Sequence, residues 1–285
     1  MTAALLLLLT AQLPEEGLAL RLETGDVFEE TLDVQTTTRP AGDPEGPAVR
    51  SRYKLDLVTE VGSVGQSGAT LRSRVEKVFA EIVPPGPGDP EDRKITFDSS
   101  ERPDFDAFAE EDRKQAAVEA LRENWSGLKD SVLRRTVSPQ NVYSDGDWAA
   151  VTGEGDAARL ASAVVSSLTD SVSAPLPAGQ LDSWTDTVTR AVGERKREVT
   201  TVLTYDGRNS DGMDRIKVSM ASAKDDPAAV VGKGELLFDR GLGRVVAYDA
   251  VIQASTVSGG AATAVTRTNI AWRLQPVPEE ADAAP

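Results

Sequence analysis

Apolar and polar residues alternate along most of this chain with the two-residue period of strands that bury one face. Within Asp26–Thr37, Phe28, Leu32 and Val34 share one parity, Glu29, Thr31, Asp33 and Gln35 the other, and Glu30 interrupts the apolar side. Thr70–Ile82 alternates in the same way, and Arg52–Val61 precedes it across the glycine-rich turn Gly62–Gly68. Further strands are predicted at Leu18–Leu22, Lys94–Asp98, Ser131–Ser138, Asn141–Tyr143, Ser183–Val192, Arg197–Tyr205 and Met213–Ala221. Val231–Val277 then reads as a three-strand antiparallel meander. Arg39–Pro47 and Pro84–Pro90 are loops, because their prolines and glycines cannot continue a hydrogen-bonded ladder.

From Asp104 the period lengthens. Helices are predicted over Phe105–Asn124 and Ala157–Thr169, the second with Leu160, Val164, Val165 and Leu168 on one face and Asp156 as its N-cap. The expected class is α+β: mainly antiparallel β, a curved sheet or half-barrel, with about two helices from the middle of the chain.

Two parts of the sequence can be laid over each other. Gly25–Phe28 parallels Leu181–Trp184, Tyr53–Val58 parallels Val199–Thr204, Arg74–Ala80 parallels Arg215–Ala221, and Lys94–Asp98 parallels Glu235–Asp239. The expected organisation is a leader over residues 1–17 and one β-rich domain over 18–275. Its sheet halves, 18–103 and 175–275, flank a helical segment 104–173, and a disordered acidic tail follows at 276–285.

Composition narrows the chemistry. The chain has no His and no Cys. Ser–His and Cys–His nucleophiles, thiolate zinc sites, disulfides and iron–sulfur clusters are therefore excluded. Carboxylates are abundant, but no spacing singles out an acid/base pair, so no catalytic residue is assigned and the expectation is a non-enzyme without a cofactor. The formal net charge of −15 disfavours nucleic acid and anionic membrane surfaces. The apolar run Ala3–Leu9 is too short to span a bilayer, which takes ~20 residues. It suits the core of a secretory signal with cleavage after Ala11, although no Lys or Arg precedes it; a short buried N-terminal element is the alternative.

Three short motifs invite chemistry. Asp206–Asp214 resembles part of a calcium loop at Asn209, Asp211 and Gly212, but the twelfth position is Val218 where a Glu belongs, so a polar hairpin loop is expected and no metal site. Gly232-Lys233-Gly234 lacks the helix and Ser/Thr of a phosphate loop, and Gly241-Leu242-Gly243 has the composition of a hairpin turn. Arg195-Lys196-Arg197 is expected at an exposed turn or edge. Trp125, Trp148, Trp184 and Trp272 are expected in the core or at the sheet rim, with a tryptophan-lined groove as the alternative. No ligand-binding residue is assigned.

Ala178–Asp186 (AGQLDSWTD) and Gly232–Gly243 (GKGELLFDRGLG) resemble motifs of a family of uncharacterised bacterial secreted or periplasmic β-rich proteins. Those carry G-D-S-W after a proline-bearing connector and later G-x-G-x-x-x-F-D-x-x-x-G. Leu181 replaces the first motif's glycine, while Gly232, Gly234, Phe238, Asp239 and Gly243 fit the second. Thr136–Tyr143 is similar to the family's S-P-x-G turn, with Asn141 in place of the glycine. A more distant likeness is to curved-sheet periplasmic lipoprotein carriers. The resemblance implies compartment and fold, not chemistry. The leading expectation is a non-enzymatic secreted or periplasmic β-protein, an interaction module or a carrier, with an apolar small molecule or another envelope protein as partner. A carboxylate-dependent hydrolase and an acidic cytoplasmic binding protein are the alternatives.

Overall fold

In the computed structural model, residues 18, 20–100, 128–129, 132–143, 147–148, 175–177, 182–192, 195–223, 229–258 and 261–277 are described. They form β1 (Val27–Pro40), β2 (Val49–Gly65), β3 (Gly68–Val83), β4 (Ile95–Asp98), β5 (Val132–Val137) and β6 (Asp147–Trp148) in the first part of the chain. The second part supplies β7 (Ser183–Val192), β8 (Arg195–Arg208), β9 (Asp214–Ser222), β10 (Val230–Asp239), β11 (Arg244–Ser258) and β12 (Ala261–Pro276). All belong to one antiparallel sheet in the order β6-β5-β3-β2-β1-β12-β11-β10-β9-β8-β7, with β4 on the outer edge of β3. The sheet is not closed into a barrel: β6 and β7 end the path and do not pair with each other among the described residues.

The long alternating runs explain the length of the strands. β1, β2, β3, β11 and β12 each run 14 to 17 residues, because no proline or charge cluster interrupts one parity until the loops begin. The seam between the two parts is β1 against β12, paired from Phe28↔Pro276 to Pro40↔Ala264, so the first and last strands are central neighbours. The four segments of the expected repeat fall on two runs of strands, β1-β2-β3-β4 and β7-β8-β9-β10. The first two pairings of each run agree in register to within one or two residues. The third does not, since Ala80 faces Phe97 whereas its counterpart Ala221 faces Val231 and not Phe238.

Leu18–Leu22, predicted as a strand, joins no ladder. Arg21 donates its amide to the Gly243 carbonyl (2.7 Å) and Leu20 donates its amide to the Pro139 carbonyl (3.3 Å). Adjacent amide nitrogens lie only ~3–4 Å apart, so these carbonyls are within about 10 Å of each other. In a flat sheet, β5 and the start of β11 would be five strand spacings or ~24 Å apart. The sheet therefore curls at this end, and the turn after β5 folds inward to meet the crossing segment.

The inward face is one continuous apolar core. It includes Leu32, Leu55, Leu71, Val75, Leu133, Leu203, Ile216, Leu236 and Trp272, with Leu18 buried against it and Leu20 and Leu22 half-buried. Among the described residues the only helical element is the 3-10 turn Glu91–Arg93, so the described structure is β rather than α+β. Both predicted helices, the leader (residues 1–17) and the tail beyond Val277 lie outside the described residues.

Candidate functional site

The sheet has two chemically different faces. On the inward face, Glu30 of β1 is the charge that interrupts the apolar parity. Its carboxylate accepts from Arg135 of β5 (2.5 Å), from the Thr59 hydroxyl (2.5 Å) and from the Trp272 indole N–H (3.0 Å). Arg135 also donates to the Ser73 hydroxyl (2.7 Å), and its guanidinium lies 5.5 Å from the Tyr143 ring centroid. Glu30 and Arg135 sit three strand spacings apart, and their side chains meet by lying over the small residues Thr59 and Ser73. Both are almost fully buried, and burial pushes the Tyr143 phenol far up from its ordinary value. A second buried carboxylate, Asp214, accepts from the Tyr205 hydroxyl (2.9 Å) and Arg208 (3.3 Å) and pairs with Arg240. Burial, then the Asp214 carboxylate, raises the Tyr205 phenol. The Arg135 Nε and Nη1 are buried without a hydrogen-bond partner among the described residues.

The outward face carries the cavities. The larger, about 710 Å³, is a groove across β8, β9, β10, β11, β12 and β1. Register places its side chains in two rows across the strands. One runs Asp33, Ala271, Asp249, Glu235, Lys217, Thr204, and the other Gln35, Asn269, Val251, Lys233, Ser219, Val202. The acids of the first row are neutralised on the spot: Asp33 by Arg52, Asp249 by Arg273, Glu235 by Arg215. In the second row Val202 and Val251 are apolar, Gln35, Asn269 and Ser219 are neutral, and Lys233 makes no ion pair among the described residues.

A second cavity of about 660 Å³ adjoins this groove at Asn269, which lines both. It is bounded by Thr37, Arg39, Arg50, Gln253 and Arg267, and no acidic residue lines it among the described residues. Arg50 and Arg267 flank Thr37 on either side, each directly opposite it in register. Arg39, one row further along β1, has a buried Nε without a hydrogen-bond partner. None of the three arginines makes an ion pair among the described residues.

The residues singled out in the sequence lie elsewhere, Lys233, Gly234 and Glu235 excepted. Asp206–Asp214 is the β8–β9 hairpin, in which the Asn209 side-chain oxygen accepts from the amides of Asp211 and Met213 and Gly207 and Gly212 take positive φ. Asp206 is held by Lys217 and Arg215. Gly232 and Gly234 lie inside β10, and Gly241–Gly243 forms the β10–β11 turn, where the Asp239 carboxylate accepts two amides. Arg195–Arg197 opens β8, paired with Arg190–Val192 at the end of β7. Trp272 is buried on the inward face, and Trp184 donates to the Pro175 carbonyl (2.6 Å); Trp125 lies outside the described residues, and Trp148 pairs with Leu133 in the β5–β6 ladder. Sequence reasoning missed the arginine cluster. The only signal was three arginines at outward parity, Arg39 and Arg50 near strand ends and Arg267 within β12, on strands that are neighbours in the sheet.

A single open antiparallel sheet, curled over an apolar core, is the class this chain belongs to. No protein-family model matches the chain, and neither does any curated protein. Among solved structures it is similar to lipovitellin, in a structure concerned with lipid–protein interactions, at a TM-score of 0.51 and 11% identity over 93% of this chain and 27% of that one. The chain thus spans about a quarter of that neighbour's length. DynF from the dynemicin biosynthesis pathway of Micromonospora chersina aligns at a TM-score of 0.25 and 5% identity, over 94% of this chain and 90% of that one. An outer membrane channel from Pseudomonas putida F1 aligns at 0.23 and 10%, over 90% and 97%. The last two are too loose to define a shared fold. Of the resemblance drawn from the motifs, what stands is a β-rich chain with distant structural neighbours.

Proposed function

We propose that this chain is a non-enzymatic β-protein of the cell envelope or the secreted fraction that holds an apolar ligand against the outward face of its sheet. The observation that carries this is the open groove of about 710 Å³ across six strands. Its size lies within the range of small-ligand sites, roughly 300–1,000 Å³. The polar side chains of its first row are largely occupied by ion pairs, while Val202 and Val251 present apolar surface in the second. The likeness to lipovitellin, whose structure is described by its lipid–protein interactions, speaks for the fold and is in keeping with such a role. Export rests on the apolar run Ala3–Leu9, and the non-enzymatic reading on the missing His and Cys.

The test is direct. Native mass spectrometry and solvent extraction of the purified chain should recover an apolar molecule, and a fluorescent alkyl probe should bind with an affinity that Val251→Asp lowers about tenfold by placing a charge in the groove. A probe that fails to bind, or one whose affinity is unchanged by Val251→Asp, would rule the groove out as the ligand site.

A further inference from the structure

We infer that the arginine-lined cavity is the headgroup seat of the same groove, so that the ligand is an anionic amphiphile: a phosphate, sulfate or carboxylate head held by Arg50, Arg267 and Arg39, with its tail along Val251 and Val202. This rests on the carrier reading above and names the ligand class that reading leaves open.

Three features point the same way. First, charge is distributed along the strands and not at random. On this face Arg52, Arg215 and Arg273 are each held by a carboxylate, whereas Arg39, Arg50 and Arg267 are not. In a chain with net charge −15, three uncompensated guanidiniums around one cavity are a local reversal of sign. Two carboxylates stand nearby in the β1–β2 loop: Glu45 lines a smaller cavity of about 170 Å³ together with Arg39 and Arg50, and Asp43 lies against Gly46 of the same cavity. Neither makes an ion pair with the three arginines among the described residues.

Second, the geometry suits an oxyanion. Arg50 and Arg267 stand on the two strands beside Thr37, about two strand spacings or ~10 Å from each other at the backbone. An anion seated over Thr37 can accept from both guanidinium forks and from the hydroxyl, with the Gln253 and Asn269 amides alongside. Arg39, which lines the same cavity, adds a further guanidinium at the edge of the seat.

Third, the seat and the groove are consecutive along the strands. The row of Arg50, Thr37, Arg267 and Gln253 lies two residues, ~7 Å, from the row of Gln35, Asn269, Val251 and Lys233. The acidic row of Asp33, Asp249 and Glu235 lies a further two residues away. A molecule with one anionic end and one apolar body has a single favourable orientation there, head toward the arginines. Lys233, exposed beside Val251, adds to the same field.

Isothermal titration of the full chain with dodecyl phosphate, dodecanol and inorganic phosphate separates the possibilities. The expected result is that dodecyl phosphate binds at least about tenfold more tightly than dodecanol. That preference should shrink as salt is raised. Arg50→Gln with Arg267→Gln should abolish it, leaving dodecanol binding and the melting temperature unchanged, while Arg74→Gln on β3, outside both cavities, has no effect. Equal affinity for dodecyl phosphate and dodecanol overturns the headgroup seat and leaves the carrier reading in place, as does a preference that survives the double substitution. Inorganic phosphate binding as tightly as dodecyl phosphate, with no binding of dodecanol, overturns the carrier reading and reduces the seat to a site for a free anion. No binding of any probe removes both.

Discussion

Arg135 on the inward face and Arg50 with Arg267 on the outward face are the same residue type in strands of the same sheet, and they stand in opposite circumstances. Arg135 is enclosed: Glu30, Ser73 and the Tyr143 ring surround it, and it holds its place only because a carboxylate three strands away is buried with it. Arg50 and Arg267 are exposed, unpaired and side by side around a cavity. A buried charge without its partner is strongly destabilising, so the inward arginine is a structural commitment. An exposed one is stable without a partner and stays available to a ligand. The same difference separates the two faces as wholes, since the inward carboxylates Glu30 and Asp214 are consumed by internal partners while the outward cavities keep free donors.

The contrast breaks hardest at Arg135. Arg135→Ala leaves the Glu30 carboxyl enclosed without its cation, and urea denaturation should show a loss of about 3–5 kcal/mol. Replacing both members with Met should recover at least half of that loss, because no unpaired charge remains; the residual cost is the orphaned Trp272 indole N–H, about 1–3 kcal/mol. A double variant no better than Arg135→Ala alone would mean that the network contributes something other than charge compensation.

Next comes the crossing segment that seals the curled end. Gly243 has φ of +63°, and a Cβ there would meet the Arg21 side chain at 2.5 Å. Gly243→Ala should cost about 1–3 kcal/mol. The hydrogen exchange of the Arg21 amide should accelerate, since its bond to the Gly243 carbonyl must shift.

The outward ion pairs should matter less, and in a pH-dependent way. The Asp206 carboxylate is held below its ordinary value of 3.8, chiefly by the hydrogen bond from Lys217 and also by Arg215. A carboxylate with a depressed folded-state pKa contributes stability that is present above the unfolded value and is lost as the pH falls through the folded one. Asp206→Asn should therefore be less stable than the parent at neutral pH by under about 1 kcal/mol, and the gap should close below pH ~4. A gap that persists at pH 2 would assign the effect to hairpin geometry instead. Arg50→Gln and Arg267→Gln come last: each should leave stability within about 0.5 kcal/mol of the parent. A larger loss would show that the outward arginines are structural after all and would erase the difference between the faces.

How much of this was legible beforehand depends on how far apart the interacting residues lie in the chain. Glu30 was visible as a fault in the apolar side of its strand, and its burial follows from parity once the strand forms. Its partner was not, because Arg135 is 105 positions away and three strands over. The Asn209 loop and the Gly241–Gly243 turn were readable because turn chemistry is local. Asn141 was marked as standing where a glycine is usual, and it does adopt positive φ, at 59°. Leu18–Leu22 was misread as a strand because an extended apolar segment has the same pattern whether it joins a ladder or crosses a face.

By itself, then, the sequence determined most of the strands and turns, the faces their side chains would take, and the absence of histidine and thiol chemistry, all of which follow from local periodicity and composition. It misplaced Leu18–Leu22 and began the loop after β1 two residues early, at Arg39. Tertiary structure alone decided which strands became neighbours. Pairing β1 with β12 brings Arg267 beside Arg39 and Arg50 across more than 200 residues of chain and sets Trp272 against Glu30. That choice rests on long-range register, which no local pattern encodes, and it is what gives the sheet a closed, charge-paired side and an open, arginine-lined one.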